Sequence, residues 1–181
     1  MNRGIILILG GARSGKTAWA LREAERRLVE LSGTEHPGIG SHALYVATAQ
    51  PLDAEMEERI QRHKEERSEL WRTVEEPLDL SRCLLNSCRY PVVLVDCLTM
   101  WVSNLMACEL SLDQVFYELC TALKRVPNQI ILVSNEVGLG IVPDNPVARR
   151  FRDAAGRLHQ DIAAISDEIF FVAAGIAMRM K

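Results

Sequence analysis

The sequence predicts a three-layer α/β domain with a mostly parallel central sheet. Five short, almost continuously apolar runs recur along the chain, and longer segments of helical pattern separate them. Strands that are apolar on both faces belong in a sheet that helices cover on both sides. The chain has 181 residues, 48% of them hydrophobic, which is enough for one core but hardly for two. We therefore expect a single domain spanning residues 1–181.

The five apolar runs are the predicted strands. They are IILIL at 5–9, ALYVA at 43–47, VVLV at 92–95, IILVS at 130–134 and IFFVA at 169–173. The segments between them have the apolar periodicity of helices. These predicted helices cover 15–31, 53–68, 98–124 with a break near Leu110, and 146–165. Residues 71–77 suggest a short strand and 78–88 a short helix, while the Gly-rich segment 32–42 predicts a surface loop.

Composition narrows the function before any motif is considered. The formal net charge of −3 argues against a protein that binds a nucleic-acid backbone. No run approaches the roughly 18 apolar residues of a membrane span, and the first apolar run is too short for a signal peptide. The five cysteines are an odd number without a C-x-x-C pair, which predicts reduced, mostly buried thiols. We expect a cytoplasmic protein without membrane insertion.

A glycine-rich stretch joins the first predicted strand to the first predicted helix. It contains the Gly-x-x-x-x-Gly-Lys-Thr pattern of a phosphate-binding P-loop. Its glycines let the backbone curl around a phosphate, and the helix N-terminus adds positive potential. Lys16 is predicted to act in catalysis at the β- and γ-phosphates, and Thr17 to bind Mg²⁺. The predicted nucleotide contacts are Gly10, Gly11, Ala12, Arg13, Ser14, Gly15, Lys16 and Thr17.

Polar residues follow two further predicted strands. Asp96 ends VVLVD and is predicted to hold Mg²⁺ together with Thr17, because a P-loop enzyme needs such an acidic residue. The alternative is that Asp96 caps the helix that follows. Asn135 and Glu136 come after IILVS, at the end of a strand where open α/β sheets bind ligands. The Asn-Lys-x-Asp pattern of switch GTPases does not occur at this position, which weighs against a nucleotide-controlled switch.

Three further stretches, together with GGARSGKT, resemble one known family. They are LYVATAQPLDAEMEERIQRHKEER at 44–67, WRTVEE at 71–76 and VSNEVGLGIVPDNPVARRFRDAAGRLHQ at 133–160. Over nearly its whole length the chain resembles the bifunctional adenosylcobinamide kinase / adenosylcobinamide-phosphate guanylyltransferase family of cobalamin biosynthesis. The resemblance implies a homotrimer that uses GTP and ATP, with adenosylcobinamide and adenosylcobinamide phosphate as acceptors.

The resemblance also implies two reactions at one site. In the first, the hydroxyl of adenosylcobinamide takes the γ-phosphoryl group of ATP or GTP. In the second, GTP transfers GMP to a histidine and then to the new phosphate, and by motif match this histidine is His63. Relatives are expected to have Asn at the position of His159. We predict that this difference affects only a peripheral contact of the helix. The positions that match the family's GTP contacts are Ala47, Thr48, Ala49, Lys64, Glu65, Glu66, Arg67, Glu75 and Asp96.

The residues around His63 support both a structural and a catalytic interpretation. Met56, Ile60 and His63 share one face of a predicted helix, and histidines on such a face often belong to the edge of a core. A neutral imidazole is nevertheless a good nucleophile toward phosphorus, and the neighbouring Arg62 and Lys64 favour that neutral form. Two alternatives to the bifunctional enzyme therefore remain, a monofunctional P-loop kinase of another small metabolite and a nucleotide-dependent switch.

Overall fold

The structure is a computed structural model that describes residues 3–33, 42–50 and 68–181. These residues form seven strands and five helices. The strands are β1 (Gly4–Gly10), β2 (Ala43–Ala47), β3 (Trp71–Glu75), β4 (Val92–Asp96), β5 (Gln129–Asn135), β6 (Glu168–Ala173) and β7 (Ile176–Arg179). The helices are α1 (Lys16–Ser32), α2 (Leu80–Leu85), α3 (Leu98–Ala107), α4 (Leu112–Arg125) and α5 (Pro146–Ile165).

The strands form one sheet in the order β3-β2-β4-β5-β1-β6-β7. All neighbouring pairs are parallel except β6 and β7, which are antiparallel. The five predicted strands and the short strand at residue 71 are confirmed. β7 was not predicted, because its hairpin turns at Ala174 and Gly175, which both have positive φ. That conformation usually has Asn or Asp before the Gly, so Ala-Gly gives only a weak signal for a turn.

Alternating strand residues divide the core between the two faces of the sheet. Ile5 and Leu7 pack in a cluster with residues of α2, α3, α4 and α5. Ile6 and Ile8 pack in a second cluster with the apolar face of α1. Side chains of a strand point alternately to opposite faces, so an uninterrupted apolar run serves both layers. The predicted three-layer architecture is thereby confirmed.

The helix boundaries follow local capping signals. The predicted break near Leu110 is confirmed, because α3 ends before Glu109, whose φ is +53°, and α4 begins after Ser111. Gly33 ends α1 in the left-handed conformation, and its N–H donates to the carbonyl of Val29 at 3.1 Å. The helix therefore runs one residue into the predicted loop 32–42. Residues 34–41 of that loop, and nearly all of the predicted helix 53–68, lie outside the described residues.

The cysteines are all free, as predicted, but their burial differs from the prediction. Cys97 is buried, whereas Cys88 and Cys108 are exposed in the turns that follow α2 and α3. The apolar neighbours of these two residues belong to short helices, and the turns beyond lie at the surface. Separately, none of the helices among the described residues is long and apolar enough to cross a membrane.

Candidate active site

The carboxyl ends of the central strands meet at one edge of the sheet and bring predicted site residues together. In the parallel register Ala47 of β2 lies opposite both Glu75 of β3 and Asp96 of β4. Gly10 of β1 lies opposite Asn135 of β5. Segments far apart in the sequence therefore converge on the edge where open α/β sheets bind ligands.

The loop between β1 and α1 depends on two of its glycines. A Cβ on Gly10 would lie 2.4 Å from the carbonyl oxygen of Val172 and 2.7 Å from Oγ of Ser14. Gly15 has a φ of +88°, which side chains disfavour, and it forms the N-cap of α1. The first N–H groups of a helix lack partners within the helix, so the end of this loop can donate to an anion.

Lys16 lies folded back across this loop. Its side chain is only 8% exposed, and Nζ donates to the carbonyl of Gly11 at 3.0 Å. Within the part of the chain that the structure describes, the buried hydroxyl of Ser14 has no hydrogen-bond partner. A phosphate in the loop would offer acceptors to both side chains, which is the chemistry that the P-loop motif predicts.

Asp96 accepts a hydrogen bond from Tyr45 and does not cap α3. The Tyr45 hydroxyl donates to Oδ2 of Asp96 at 2.9 Å. The N-cap of α3 is Cys97, and no side-chain hydrogen bond caps that helix. Tyr45 lies opposite Leu94, two residues before Asp96, and both pack in the cluster with α1. Because side chains two residues apart share a face, Asp96 faces the layer of the helix that carries Thr17.

Thr48 fixes the backbone beside Asp96. Its Oγ1 donates to the carbonyl of Cys97 at 2.7 Å and accepts from the Cys97 N–H at 2.9 Å. The Thr48 N–H donates to the carbonyl of Asp96 at 3.2 Å, and Nδ2 of Asn104 donates to the carbonyl of Thr48 at 2.8 Å. The N–H, carbonyl and hydroxyl of this fully buried residue are therefore all hydrogen-bonded, which fixes the turn after Asp96.

A second set of hydrogen bonds ties β5 to the same turn. Nδ2 of Asn135 donates to Oγ1 of Thr99 at 3.0 Å, and this oxygen lies 3.1 Å from Sγ of Cys97. Burial and, to a smaller extent, the charge of Asp96 raise the pKa of the Cys97 thiol. The thiol is thus protonated at neutral pH, and it serves as a hydrogen-bonding group and not as a nucleophile.

His159 is not the peripheral residue that was predicted. It is buried on the inner face of α5, and its Nε2 lies 2.7 Å from Oγ of Ser134, the residue before Asn135. Burial lowers the pKa of His159, while the charge of Glu136 opposes this shift. The periodicity of the helix predicted an apolar face but could not show that a polar strand residue faces it.

The remaining predicted residues divide into those that the structure describes and those that it does not. Ala47 and Ala49, on either side of Thr48, are partly exposed at the sheet edge. Glu75 is exposed at the end of the edge strand β3. The residues outside the described part of the chain are His63, Lys64, Glu65, Glu66 and Arg67.

Three residues of this network were missed by the sequence analysis. Tyr45, Thr99 and Asn104 are all buried and all donate or accept a hydrogen bond near Asp96. Each lies within an apolar run, and a buried polar group needs a partner. That polarity was the available signal, but it does not indicate which distant residue the partner is.

The fold is similar to that of solved P-loop ATPase domains. A KaiC-like protein from the hyperthermophilic archaeon Pyrococcus horikoshii OT3 superposes with a TM-score of 0.52, covering 93% of this chain and 70% of that chain. The two sequences are 14% identical, so the likeness concerns the fold alone. It confirms the predicted P-loop NTPase-like architecture.

Sequence comparison identifies the family. The bifunctional adenosylcobalamin biosynthesis protein CobP of Pseudomonas aeruginosa is 44% identical over 178 residues, which cover 97% of this chain and 96% of that protein. The corresponding protein CobU of Escherichia coli K12 is 39% identical over 194 residues, covering 98% and 99%. Residues 6–180 match the family described as cobinamide kinase / cobinamide phosphate guanyltransferase. The chain, which combines this match with a P-loop and an aspartate at one sheet edge, therefore belongs to that family.

Proposed function

We propose that this chain phosphorylates adenosylcobinamide with ATP or GTP and then guanylylates the product. In the second reaction GMP passes from GTP to adenosylcobinamide phosphate, giving adenosylcobinamide-GDP and pyrophosphate. The proposal rests mainly on the bifunctional relatives, which align over nearly the whole chain. The P-loop at the sheet edge supports it, because both reactions need a bound nucleoside triphosphate.

For phosphoryl transfer we assign the nucleotide phosphates to the loop from Gly10 to Thr17. Lys16 would exchange the carbonyl of Gly11 for phosphate oxygens, and there it would offset the charge that develops on the transferred group. The hydroxyl of Thr17 and the carboxylate of Asp96 are oxygen donors, which suits Mg²⁺, and these two residues would hold the ion. A bound Mg²⁺ neutralises charge on the nucleotide phosphates.

For guanylyl transfer we assign the nucleophile to His63. An imidazole nitrogen attacks the α-phosphorus of GTP, the bond to the β-phosphate oxygen breaks, and pyrophosphate leaves. A phosphate oxygen of adenosylcobinamide phosphate then attacks the same phosphorus, and the imidazole is released. GTP contacts are proposed for the segment 47–49, for Lys64 to Arg67 and for Glu75. Support for these assignments comes from the match to the family motif.

The test is to incubate the pure protein with Mg²⁺ and GTP labelled at the α-phosphate. Label should remain on the denatured chain and should be lost in acid but not in alkali, as expected of a bond between phosphorus and histidine. His63→Asn should abolish the adduct and the formation of adenosylcobinamide-GDP, while adenosylcobinamide phosphate still accumulates. His42→Asn is the matched control and should label normally.

Three results would contradict parts of the proposal. A wild-type protein that phosphorylates adenosylcobinamide without ever acquiring label would be a monofunctional kinase. An adduct that survives acid would move the covalent site from histidine to another type of residue. Turnover of nucleotide without any phosphorylated acceptor would instead favour the nucleotide-dependent switch.

We further propose that the protein works in the cytoplasm as a homotrimer. The resemblance to the family is the main support. A second observation is an apolar loop between β5 and α5, in which Leu139, Ile141 and Val142 are exposed, Ile141 by 97%. Contiguous exposed apolar residues often mark an interface. Light scattering should give a mass three times that of the 20.3 kDa chain, and a monomeric mass would contradict the proposal.

A further inference from the structure

We propose that Tyr45 is a positioning residue that orients the Asp96 carboxylate for binding of the Mg²⁺–nucleotide complex. Its hydroxyl donates to Oδ2 of Asp96 at 2.9 Å across 51 positions of sequence. The inference rests on the proposed function, in which Asp96 and Thr17 hold the ion. It adds a residue that neither the P-loop motif nor the aspartate at the end of β4 indicates.

The ring of Tyr45 is held firmly enough to fix its hydroxyl. Tyr45 is 4% exposed and packs edge-to-face against Trp71, with 6.0 Å between ring centroids and 85° between ring planes. Trp71 is held in turn by Glu25 of α1, whose Oε1 accepts from the indole Nε1 at 2.9 Å. Swinging the phenol away from Asp96 would therefore disturb two further side chains.

The hydrogen bond leaves the second carboxylate oxygen for the ion. The Tyr45 hydroxyl bonds to Oδ2 of Asp96, and a carboxylate has a second oxygen, Oδ1, that can bind a metal ion. A carboxylate that is already held in one rotamer loses less conformational freedom when it binds a metal ion. Hydrogen bonds from outer residues orient metal ligands in this way, and their loss typically weakens metal binding about 10–100-fold.

The backbone of Asp96 is fixed independently of Tyr45. Thr48 bonds to the Asp96 carbonyl and to both backbone polar groups of Cys97. Removing the Tyr45 hydroxyl should therefore release the Asp96 side chain while the turn that follows β4 keeps its shape. This separation makes a conservative substitution informative.

The test compares Tyr45→Phe with the parent protein, using Mn²⁺ as the probe ion and the β,γ-imido analogue of ATP. Free Mn²⁺ is followed by its EPR signal. We expect Mn²⁺ affinity in the nucleotide complex to fall about tenfold. Nucleotide affinity in EDTA and the melting temperature should stay close to those of the parent. Tyr117→Phe removes the same hydroxyl from an exposed tyrosine of α4 and should change none of these quantities.

A rate measurement gives a second readout. The phosphorylation rate of Tyr45→Phe should need more Mg²⁺ and should approach the parent rate at saturating Mg²⁺, since the Asp96 ligand itself is still present. A rate that stays low at every Mg²⁺ concentration would contradict a positioning role. An equal loss of nucleotide affinity in EDTA would also overturn it, because Tyr45 would then support the fold of the whole site.

Asp96→Asn separates this inference from the proposed function. If Asp96→Asn weakens Mn²⁺ binding and Tyr45→Phe does not, the role of Tyr45 is wrong and the metal assignment stands. If neither substitution changes Mn²⁺ affinity, Asp96 is not a ligand and the assignment under the proposed function fails as well. A loss of affinity in both variants, larger in Asp96→Asn, is the expected result.

Discussion

The P-loop and the turn after Asp96 lie at the same edge of the sheet but are held in different ways. The P-loop makes bonds within itself, with Nζ of Lys16 bonded to the carbonyl of Gly11 five positions earlier, and one distant residue, Gly175, also donates its N–H to the Ser14 carbonyl at 2.8 Å. The turn after Asp96 is held by residues distant in sequence, since Tyr45 and Asp96 are 51 positions apart and Thr48 and Cys97 are 49 apart. A local conformation needs certain residues at adjacent positions and leaves a motif. A long-range network leaves none.

The largest expected effect comes from removing the ammonium group of Lys16 from the P-loop. Lys16→Ala should slow phosphorylation of adenosylcobinamide by about 10²–10³-fold at saturating nucleotide, because a charge aimed at the transferred phosphoryl group is lost. Steady-state rates with labelled ATP would measure this. Lys124→Ala, at an exposed position on α4, is the control and should keep the parent rate. A Lys16→Ala enzyme of normal rate would mean that the loop only binds nucleotide.

The next effect tests the backbone of the P-loop. Gly10→Ala would place a methyl group 2.4 Å from the carbonyl oxygen of Val172 in β6, so the two strands must separate locally. We expect the free energy of unfolding to fall by about 3 kcal/mol. Gly11→Ala is the matched control, since a Cβ there meets nothing within 4 Å. Equal urea midpoints for the two variants would show that close packing at Gly10 is unimportant.

The two regions also show how far the sequence could predict the structure. Five strands, the break between α3 and α4 and the P-loop were all predicted, since each depends on a pattern of neighbouring residues. The hydrogen bonds of Tyr45, Thr48 and Asn104 were not, although Tyr45 and Asn104 are within predicted elements and Thr48 directly follows one. Their roles depend on strand order, and the placing of β2 beside β4 is decided by packing of the whole sheet. The short strand β7 was not predicted because Ala-Gly is a weak turn signal.

A smaller effect is expected from the network around Asp96. Thr48→Val keeps the shape of the side chain but leaves the buried N–H of Cys97 without its acceptor. The free energy of unfolding should fall by about 2 kcal/mol, the typical cost of an unsatisfied buried group. Thermal and urea unfolding would measure the loss. In Thr121→Val on α4, where the hydroxyl makes an exposed hydrogen bond to the carbonyl of Tyr117, the change should be within about 0.5 kcal/mol.

A contrary result for Thr48 would change the comparison between the two regions. If Thr48→Val is as stable as the parent but binds GTP more weakly, the residue contacts nucleotide, as the resemblance to the family implies. A loss of stability without a matching loss of GTP affinity would confirm that Thr48 supports the turn after Asp96.

The smallest effect concerns His159, which is hydrogen-bonded to Ser134 of β5. This strand lies between β1, which leads into the P-loop, and β4, which ends at Asp96. Burial lowers the pKa of His159 below the ordinary value of 6.5, so the unfolded chain takes up a proton at a higher pH than the folded protein does. The contribution of His159 to the free energy of unfolding should therefore be constant above about pH 6.5. As the pH falls below that value and through the lower pKa of the folded protein, this contribution should decrease.

The measurement compares urea unfolding at about pH 7.5 and about pH 5.5 in the parent and in His159→Asn. Asn does not titrate, so the variant should lose less stability on acidification, even if it is less stable than the parent at both pH values. His42→Asn replaces a histidine outside this contact and should retain the parent's pH dependence. If acidification destabilises His159→Asn as much as the parent, the buried histidine is not the group that titrates. The pH dependence would then have to come from carboxylates, and the contact between His159 and Ser134 of β5 would not make stability depend on pH.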